Sequence, residues 1–93
     1  MKQFDWDPEK NLYLIEERGV SFEEVIFHLQ ADGLLDDIEH PNPENYSHQR
    51  MFIVAIEGYA YLVPYVESDE GIFLKTIIPS RKATKQYLGE SDE

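Results

Sequence analysis

The chain has 93 residues, of which 42% are hydrophobic and 29% are charged. This length suits one domain over residues 1–93, and the composition is too apolar for a disordered chain. Nineteen acidic residues against eight basic ones give a formal net charge of −11, which disfavours long-range attraction to phosphate backbones and favours basic partners.

The absence of cysteine excludes disulfide frameworks and thiolate metal sites. The opening residues, MKQFDWDPEK, lack the apolar core of a signal peptide, and no apolar run approaches the ~18 residues that a membrane span needs. We therefore expect a cytoplasmic protein without a membrane segment. We also expect the acidic residues 90–93 to form a frayed tail.

The first helix is predicted by its capping residues. Asp7 stands at the N-cap position and Pro8 at the first helical position, where its missing N–H costs nothing. Arg18 and then Gly19 give the cationic last turn and the left-handed residue that often end a helix. We place this helix at 8–18, and its predicted apolar stripe consists of Leu12, Ile15 and, in addition, Leu14.

A second helix follows directly, because SFEEVIFHL begins with a capping box. The Ser21 hydroxyl can accept from the backbone N–H of Glu24, whose carboxylate can reach back to the backbone N–H of Ser21. Gly33 follows this segment, which we place at 21–31. Its apolar residues recur at helical spacing and are Phe22, Val25, Ile26 and Leu29.

From Leu34 onward, short apolar runs rich in β-branched and aromatic residues are separated by turn residues, which predicts strands. The predicted strands are LLDDIEH, RMFIVAIE, YAYLVPYVE and IFLKTII, and the opening KQFDW is a further candidate. A tight turn at Glu57-Gly58 favours an antiparallel meander. Pro64 predicts an edge strand or a bulge, since it cannot donate to a ladder.

Ser80 can cap a last short helix across RKATKQYL, which Gly89 ends. The predicted fold class is therefore α+β, with two N-terminal helices packed on a curled, mainly antiparallel sheet and a short C-terminal helix.

The charges divide the chain into two parts. Residues 71–89 contain no Asp or Glu and carry +4, which leaves −15 for the rest of the chain. The four cations are Lys75, Arg81, Lys82 and Lys85. This pattern is compatible with a phosphate-binding segment. It is equally compatible with an ordinary solvent-exposed face of the last helix, on which the cations have no ligand.

No segment matches a phosphate-binding glycine-rich loop, a nucleophile elbow or a zinc-binding spacing. His40 and His48 flank a polar loop that also contains Glu44, a set of groups that can bind a metal but that loops also carry by chance. His28 lies among apolar residues of the second helix, where packing explains it without chemistry. We expect neither a metal nor a cofactor.

Strand alternation suggests a nucleic-acid-binding surface on the predicted sheet. In IFLKTII, Lys75 shares a face with Phe73 and Ile77. In the neighbouring run, Tyr61 and Tyr65 share a face. If the registers agree, these tyrosines and Lys75 would stack bases and contact phosphates of single-stranded nucleic acid. The alternative is an ordinary half-exposed sheet.

Four features of the chain resemble the BrnT-like toxins, small ribonucleases of bacterial type II toxin–antitoxin systems with a RelE-like fold. The matching features are FDWDPEKN (4–11), RGVSFEEV (18–25), Arg50 with Gly58, and KTIIPSRKAT (75–84). Their order and spacing cover nearly the whole chain. The chain departs from the family pattern at Glu17-Arg18, where the family usually has Lys-His, and in its strongly acidic charge.

The resemblance implies metal-independent RNA cleavage, in which a ribose 2′-OH attacks the adjacent phosphate, and neutralisation by a small DNA-binding antitoxin. By this resemblance Arg50 and Arg81 are expected to contact phosphate. The residue pattern adds Lys75 to these catalytic candidates, with His48 as the most available acid or base. The expected RNA-binding residues are Lys82, Lys85, Tyr61 and Tyr65.

Three hypotheses follow from the sequence. The protein is an RNA-cleaving toxin, or a toxin-like domain that has lost catalysis and only binds a basic antitoxin, or an acidic interaction protein or nucleic-acid mimic. The RNA target, the ribosome dependence of cleavage, the identity of the antitoxin and the oligomeric state stay open, and a homo-oligomer is compatible with the sequence.

Overall fold

The computed structural model describes residues 3–39, 44 and 49–89. Its elements in chain order are β1 (Gln3–Asp5), α1 (Pro8–Arg18), α2 (Phe22–Gln30), β2 (Leu34–Glu39), β3 (Gln49–Ile56), β4 (Tyr59–Glu67), β5 (Gly71–Leu74), β6 (Ile78–Pro79) and α3 (Arg81–Leu88). The predicted α+β class is confirmed. Among the described residues, no helix is long and apolar enough to span a membrane. The predicted tail at 90–93 lies outside the described residues.

The capping residues set the ends of α1 and α2 as predicted. Asp7 accepts the backbone N–H of Glu9 at 3.0 Å, and Gly19 adopts a left-handed φ of 68° after the last turn of α1. The capping box of α2 is complete: the Glu24 N–H donates to Ser21 Oγ at 3.1 Å, and the Ser21 N–H donates to Glu24 Oε1 at 3.0 Å. Both predicted N-terminal helices are confirmed.

The strands form one open sheet in the order β1-β5-β4-β3-β2, with β6 also paired to β4. Every pair is antiparallel except β1 with β5, which is parallel. Strands β3 and β4 meet across Glu57-Gly58, whose φ angles of 53° and 82° are both positive. Two such residues match the twist of a tight hairpin, so the predicted turn and the mainly antiparallel sheet are confirmed.

Pro64 lies in the central strand β4, whereas the sequence predicted an edge strand or a bulge at this position. Its carbonyl accepts the Lys75 N–H at 2.8 Å, so its ring nitrogen also faces the β5 side. The β4–β5 ladder ends at Tyr65 opposite Leu74, and β6 then pairs opposite 61–62. The missing N–H of Pro64 therefore falls where β5 leaves the sheet, which is why a proline is tolerated inside β4.

The last predicted strand, IFLKTII, is broken in two. Strand β5 ends at Leu74 and β6 begins at Ile78. Between them Ile77 is fully buried in the core, and its carbonyl accepts a hydrogen bond from Arg18 Nη1 at the end of α1. The predicted grouping of Lys75 with Phe73 is therefore correct, since both are exposed, but the grouping of Lys75 with Ile77 is wrong, because Ile77 packs inward.

Helices α1 and α2 cover one face of the sheet, here called the α1/α2 face, and α3 covers the other, the α3 face. The core on the α1/α2 face contains Leu14, Val20, Phe22, Val25, Phe52, Val54, Ile56, Val63, Tyr65, Leu74 and Ile77. The smaller core on the α3 face contains Ile53, Ala60 and Ala83. The Ala60 N–H donates to the Thr84 hydroxyl at 2.9 Å, which fastens α3 onto β4.

The apolar stripe predicted for α1 is partly wrong. Leu14 is fully buried, but Leu12 is 63% exposed and Ile15 is 44% exposed. The inner side of α1 is instead shared by Leu14 and Asn11, whose side chain accepts the Phe22 N–H at 2.8 Å. This polar anchor positions α1 against the start of α2 and turns Leu12 and Ile15 outward.

Candidate functional site

The cationic end of the chain forms the exposed side of α3. Ser80 caps the helix by accepting the Ala83 N–H at 3.0 Å. Because Ala83 and Thr84 are buried, the opposite side of the helix faces solvent. It carries Arg81, Lys82 and Lys85, hereafter the α3 cations, all of them exposed. Positions three and four apart are neighbours on a helix, so these charges form one surface.

A shallow groove of about 200 Å³ runs beside α3, between the helix and the sheet. Its sheet side is apolar and consists of Ile38, Met51, Ile53 and Leu62. Its α3 side consists of Ser80, Lys82, Ala83, Gln86 and Tyr87. Lys82 is the one charged residue among these described lining residues, so the groove joins an apolar floor to the α3 cations.

Tyr87 ties the end of α3 to strand β2. Its hydroxyl donates to Asp36 Oδ2 at 2.8 Å. This hydrogen bond, and next the backbone N–H of Asp37, lower the pKa of Asp36 below its ordinary value. The same bond raises the pKa of Tyr87. Asp36 therefore remains a carboxylate, and the groove wall formed by Tyr87 is fixed in place.

Arg50 belongs to a second cluster, at the other face of the sheet. Its Nε lies 3.1 Å from Asp37 Oδ1, and its Nη2 donates to the Asp37 carbonyl at 2.9 Å. The Tyr65 hydroxyl donates to the same Oδ1 at 2.7 Å. The hydrogen bond to Asp37 is the main cause that raises the pKa of Arg50. Two of the guanidinium nitrogens are thus engaged by Asp37.

Tyr65 is held as a neutral side chain. It is 3% exposed, and its ring stacks on Phe52 with centroids 4.0 Å apart. Burial, and next the hydrogen bond to Asp37, raise the pKa of Tyr65 to about 12. The phenol therefore donates to Asp37 at neutral pH and is poorly suited to act as a general base.

The structure does not bring Arg50 and Arg81 together. Arg50 pairs with Tyr65 in the β3–β4 register, and Tyr65 belongs to the core of the α1/α2 face. Arg81 is the first residue of α3, which packs on the opposite face. The two arginines that the resemblance predicts to contact phosphate therefore lie on opposite faces of the sheet and do not form one site.

The expected surface of Lys75 with two tyrosines does not form. Leu74, not Lys75, is opposite Tyr65, so alternation places Lys75 on the other face. The ammonium of Lys75 lies 5.7 Å from the centroid of the Phe73 ring. Tyr61 is half-buried, and burial first, then the charge of Glu24, raise its pKa.

His40 and His48 lie outside the described residues, so the roles expected of His48 stay sequence-based predictions. Within 3–39, 44 and 49–89, no group of three His, Cys, Asp or Glu residues could hold a metal ion. Sequence reasoning overlooked Asp36 and Asp37. Their signal was an acidic pair inside a predicted strand, where alternation sends neighbouring side chains to opposite faces.

Comparison of the chain with protein-family models, with curated proteins and with solved structures gave no match. The resemblance to BrnT-like toxins therefore stays a prediction from the sequence.

Proposed function

We propose that the protein is the toxin of a bacterial type II toxin–antitoxin pair, which engages RNA through the α3 cations and cleaves it weakly without a metal. The observation that carries this proposal is the separation of charge. The α3 cations sit together on one exposed helix face, in a chain whose residues outside 71–89 carry −15.

The α3 cations are available for a ligand. Within the described residues, none of them is paired with a carboxylate, whereas Arg50 is paired with Asp37. Long-range repulsion from the acidic remainder is screened over about 8 to 10 Å at physiological salt. A local group of three cations can therefore still hold phosphate oxygens, and the adjoining apolar groove offers a surface for an unstacked base.

In the proposed reaction the ribose 2′-oxygen attacks the adjacent phosphorus and the bond to the 5′-oxygen breaks. The 2′-OH proton goes to a general base, and the leaving 5′-oxygen takes a proton from a general acid, so the products are a 2′,3′-cyclic phosphate and a 5′-OH. The contribution of α3 is to stabilise the negative charge on the phosphoryl oxygens. His48 is the sequence-based candidate for the acid or base.

The test combines toxicity with direct measurement of cleavage. The parent, Arg81→Gln and Lys82→Gln are each expressed in bacteria without a co-expressed antitoxin, and each purified protein is incubated with RNA in EDTA. We expect the parent to arrest growth and to produce 2′,3′-cyclic ends, and each α3 variant to cut about tenfold more slowly or worse. Lys10→Gln removes one positive charge from α1 and is expected to behave as the parent.

A second candidate, a non-catalytic domain that binds a basic antitoxin, is favoured by the position of Arg50. An arginine that is engaged by Asp37 on the α1/α2 face cannot share a phosphate with Arg81 on the α3 face. Intact RNA in EDTA together with undisturbed growth of the parent would reject cleavage and leave this candidate. Equal cleavage by the parent and the α3 variants would reject α3 as the RNA site.

A further inference from the structure

Helix α1 presents two large aliphatic side chains to solvent. Leu12 is 63% exposed and Ile15 is 44% exposed. They stand three positions apart, which makes them neighbours on the helix surface. Isolated exposed leucines are ordinary on protein surfaces, but an adjacent pair on a helix forms a ridge of the kind that packs into the groove of a second helix. This pair is called the α1 ridge.

The α1 ridge is held outward by the packing of the opposite side of the helix. Leu14 is fully buried and Asn11 is 7% exposed. The Asn11 side chain accepts the Phe22 N–H at 2.8 Å and donates to Glu23 at 2.9 Å. Turning the ridge inward would break both hydrogen bonds and expose Leu14. The ridge is therefore a fixed part of the surface.

Acidic residues border the α1 ridge. Glu9 precedes Leu12 by three positions and Glu16 follows it by four, so both neighbour Leu12 on the helix, and both are exposed. The cations of α1 are directed elsewhere. The ammonium of Lys10 lies 5.2 Å from the Tyr13 ring centroid, and Arg18 donates to the Ile77 carbonyl.

We propose that the α1 ridge, with Glu9 and Glu16 beside it, docks a basic amphipathic helix of a partner protein. The apolar residues of the partner helix would cover Leu12 and Ile15, and its Lys or Arg side chains would meet the two glutamates. The inference rests on the antitoxin partner of the proposed function, which the second candidate describes as basic. It adds the surface of this protein that the partner contacts and the helical form of the contacting segment.

The charge of this surface selects the basic helix over other occupants. RNA and anionic lipid headgroups are repelled by Glu9 and Glu16. A second copy that docks through the same ridge would bring the glutamates of the two chains close together, since a two-fold interface places one patch against itself. Their like charges would then repel. A basic helix is the occupant whose apolar and charged groups both complement the ridge.

The test measures binding of a synthetic Leu/Lys amphipathic peptide of about 18 residues, long enough to form a helix on contact, to the full chain. The comparison peptide has Glu in place of every Lys. We expect the Lys peptide to bind and the Glu peptide not to bind. Leu12→Gln/Ile15→Gln should weaken binding by about tenfold or more. Glu9→Gln/Glu16→Gln should weaken it by roughly threefold to tenfold at low salt, and by less at high salt.

Two matched controls separate docking at α1 from nonspecific attraction to an acidic protein. Asp69→Asn/Glu70→Gln removes two acids at the turn before β5, and Phe73→Gln removes an exposed aromatic ring from the α3 face. Both controls should bind within about twofold of the parent. Because all substituted side chains are exposed, circular dichroism should show every variant folded.

The proposal is overturned if the Lys peptide does not bind, if the controls weaken binding as much as the α1 variants do, or if both peptides bind equally. Concentration-dependent self-association of the parent that Leu12→Gln/Ile15→Gln abolishes would assign the ridge to a second copy and would also overturn the proposal.

RNA cleavage by the same variants is a separate readout. Loss of peptide binding with cleavage intact supports the docking surface, and cleavage can fail without affecting the peptide result.

Discussion

On each face of the sheet, an aspartate of β2 accepts a hydrogen bond from a tyrosine hydroxyl. These two aspartate–tyrosine pairs differ in burial and in the charges around them. On the α1/α2 face, Asp37 accepts the hydroxyl of the almost fully buried Tyr65 and also binds Arg50. On the α3 face, Asp36 accepts the hydroxyl of the half-buried Tyr87.

The cations of the protein are therefore not equivalent. The guanidinium of Arg50 is engaged by a neighbouring carboxylate, and its role in the described structure is to complete a cluster with Tyr65. The α3 cations stand on a helix that is held by Thr84 and Tyr87, polar contacts on its other side. The α3 face, which has the smaller core, thus carries exposed cations that have no carboxylate partner among the described residues.

Substitutions on the two sides of α1 test which side of the helix is buried, and one of them has the largest effect that we expect. Leu14→Ala should lower the free energy of unfolding by about 2 to 5 kcal/mol, because it leaves a cavity in the core of the α1/α2 face. Leu12→Ala removes the same atoms from an exposed side chain and should change it by less than about 0.5 kcal/mol. Urea unfolding measures both. Similar losses for the two variants would show that α1 buries a different side.

A smaller effect is expected where α3 is fastened to the sheet. The Thr84 hydroxyl accepts the Ala60 N–H and donates to the Ser80 carbonyl at 2.8 Å. Thr84→Val keeps the shape but leaves the buried Ala60 N–H without an acceptor, which should cost about 1 to 3 kcal/mol. Thr84→Ser keeps the hydroxyl and should cost less in the same urea experiment. Equal losses for Val and Ser would assign the effect to packing.

Local signals in the sequence predicted the fold well. The helix ends depend on hydrogen bonds within a few residues of each cap, so Asp7, Ser21 and Ser80 could be identified without tertiary information. The hairpin at Glu57-Gly58 likewise depends on its own backbone angles.

The candidate site was less predictable because it depends on register and on the choice of buried face. The register that sets Leu74 opposite Tyr65 places Lys75 on the other face, and no local pattern in the sequence gives that register. Leu12, Leu14 and Ile15 are all apolar. Which of them turns inward depends on tertiary contacts, among them the Asn11 hydrogen bonds to α2. The separation of Arg50 from the α3 cations required knowing which helix covers which face.

A further effect distinguishes the two aspartate–tyrosine pairs, and we expect it to appear at high pH. The pKa of Tyr65 is raised from 10.0 to about 12 in the folded protein. The folded state therefore keeps the phenolic proton over a range where the unfolded state has lost it, so the stabilisation is complete below pH 10 and is lost as pH rises to about 12. Its size is on the order of 3 kcal/mol at most, since the shift is about two pKa units and one unit corresponds to about 1.4 kcal/mol.

Tyr65→Phe should accordingly be less stable than the parent below pH 10, and the two unfolding free energies should converge as pH rises toward 12. Tyr87→Phe is the matched variant on the α3 face, where the pKa of the tyrosine is raised chiefly by its bond to Asp36. Because the Tyr87–Asp36 hydrogen bond lies nearer the surface, the difference in unfolding free energy between Tyr87→Phe and the parent should vary less with pH. Urea unfolding at a series of pH values checks both variants.

A difference in unfolding free energy between the parent and Tyr65→Phe that stays constant through this range would mean that the buried phenol ionises as easily in the folded as in the unfolded chain. The α1/α2 face would then be as open to solvent around Asp37 as the α3 face is around Asp36.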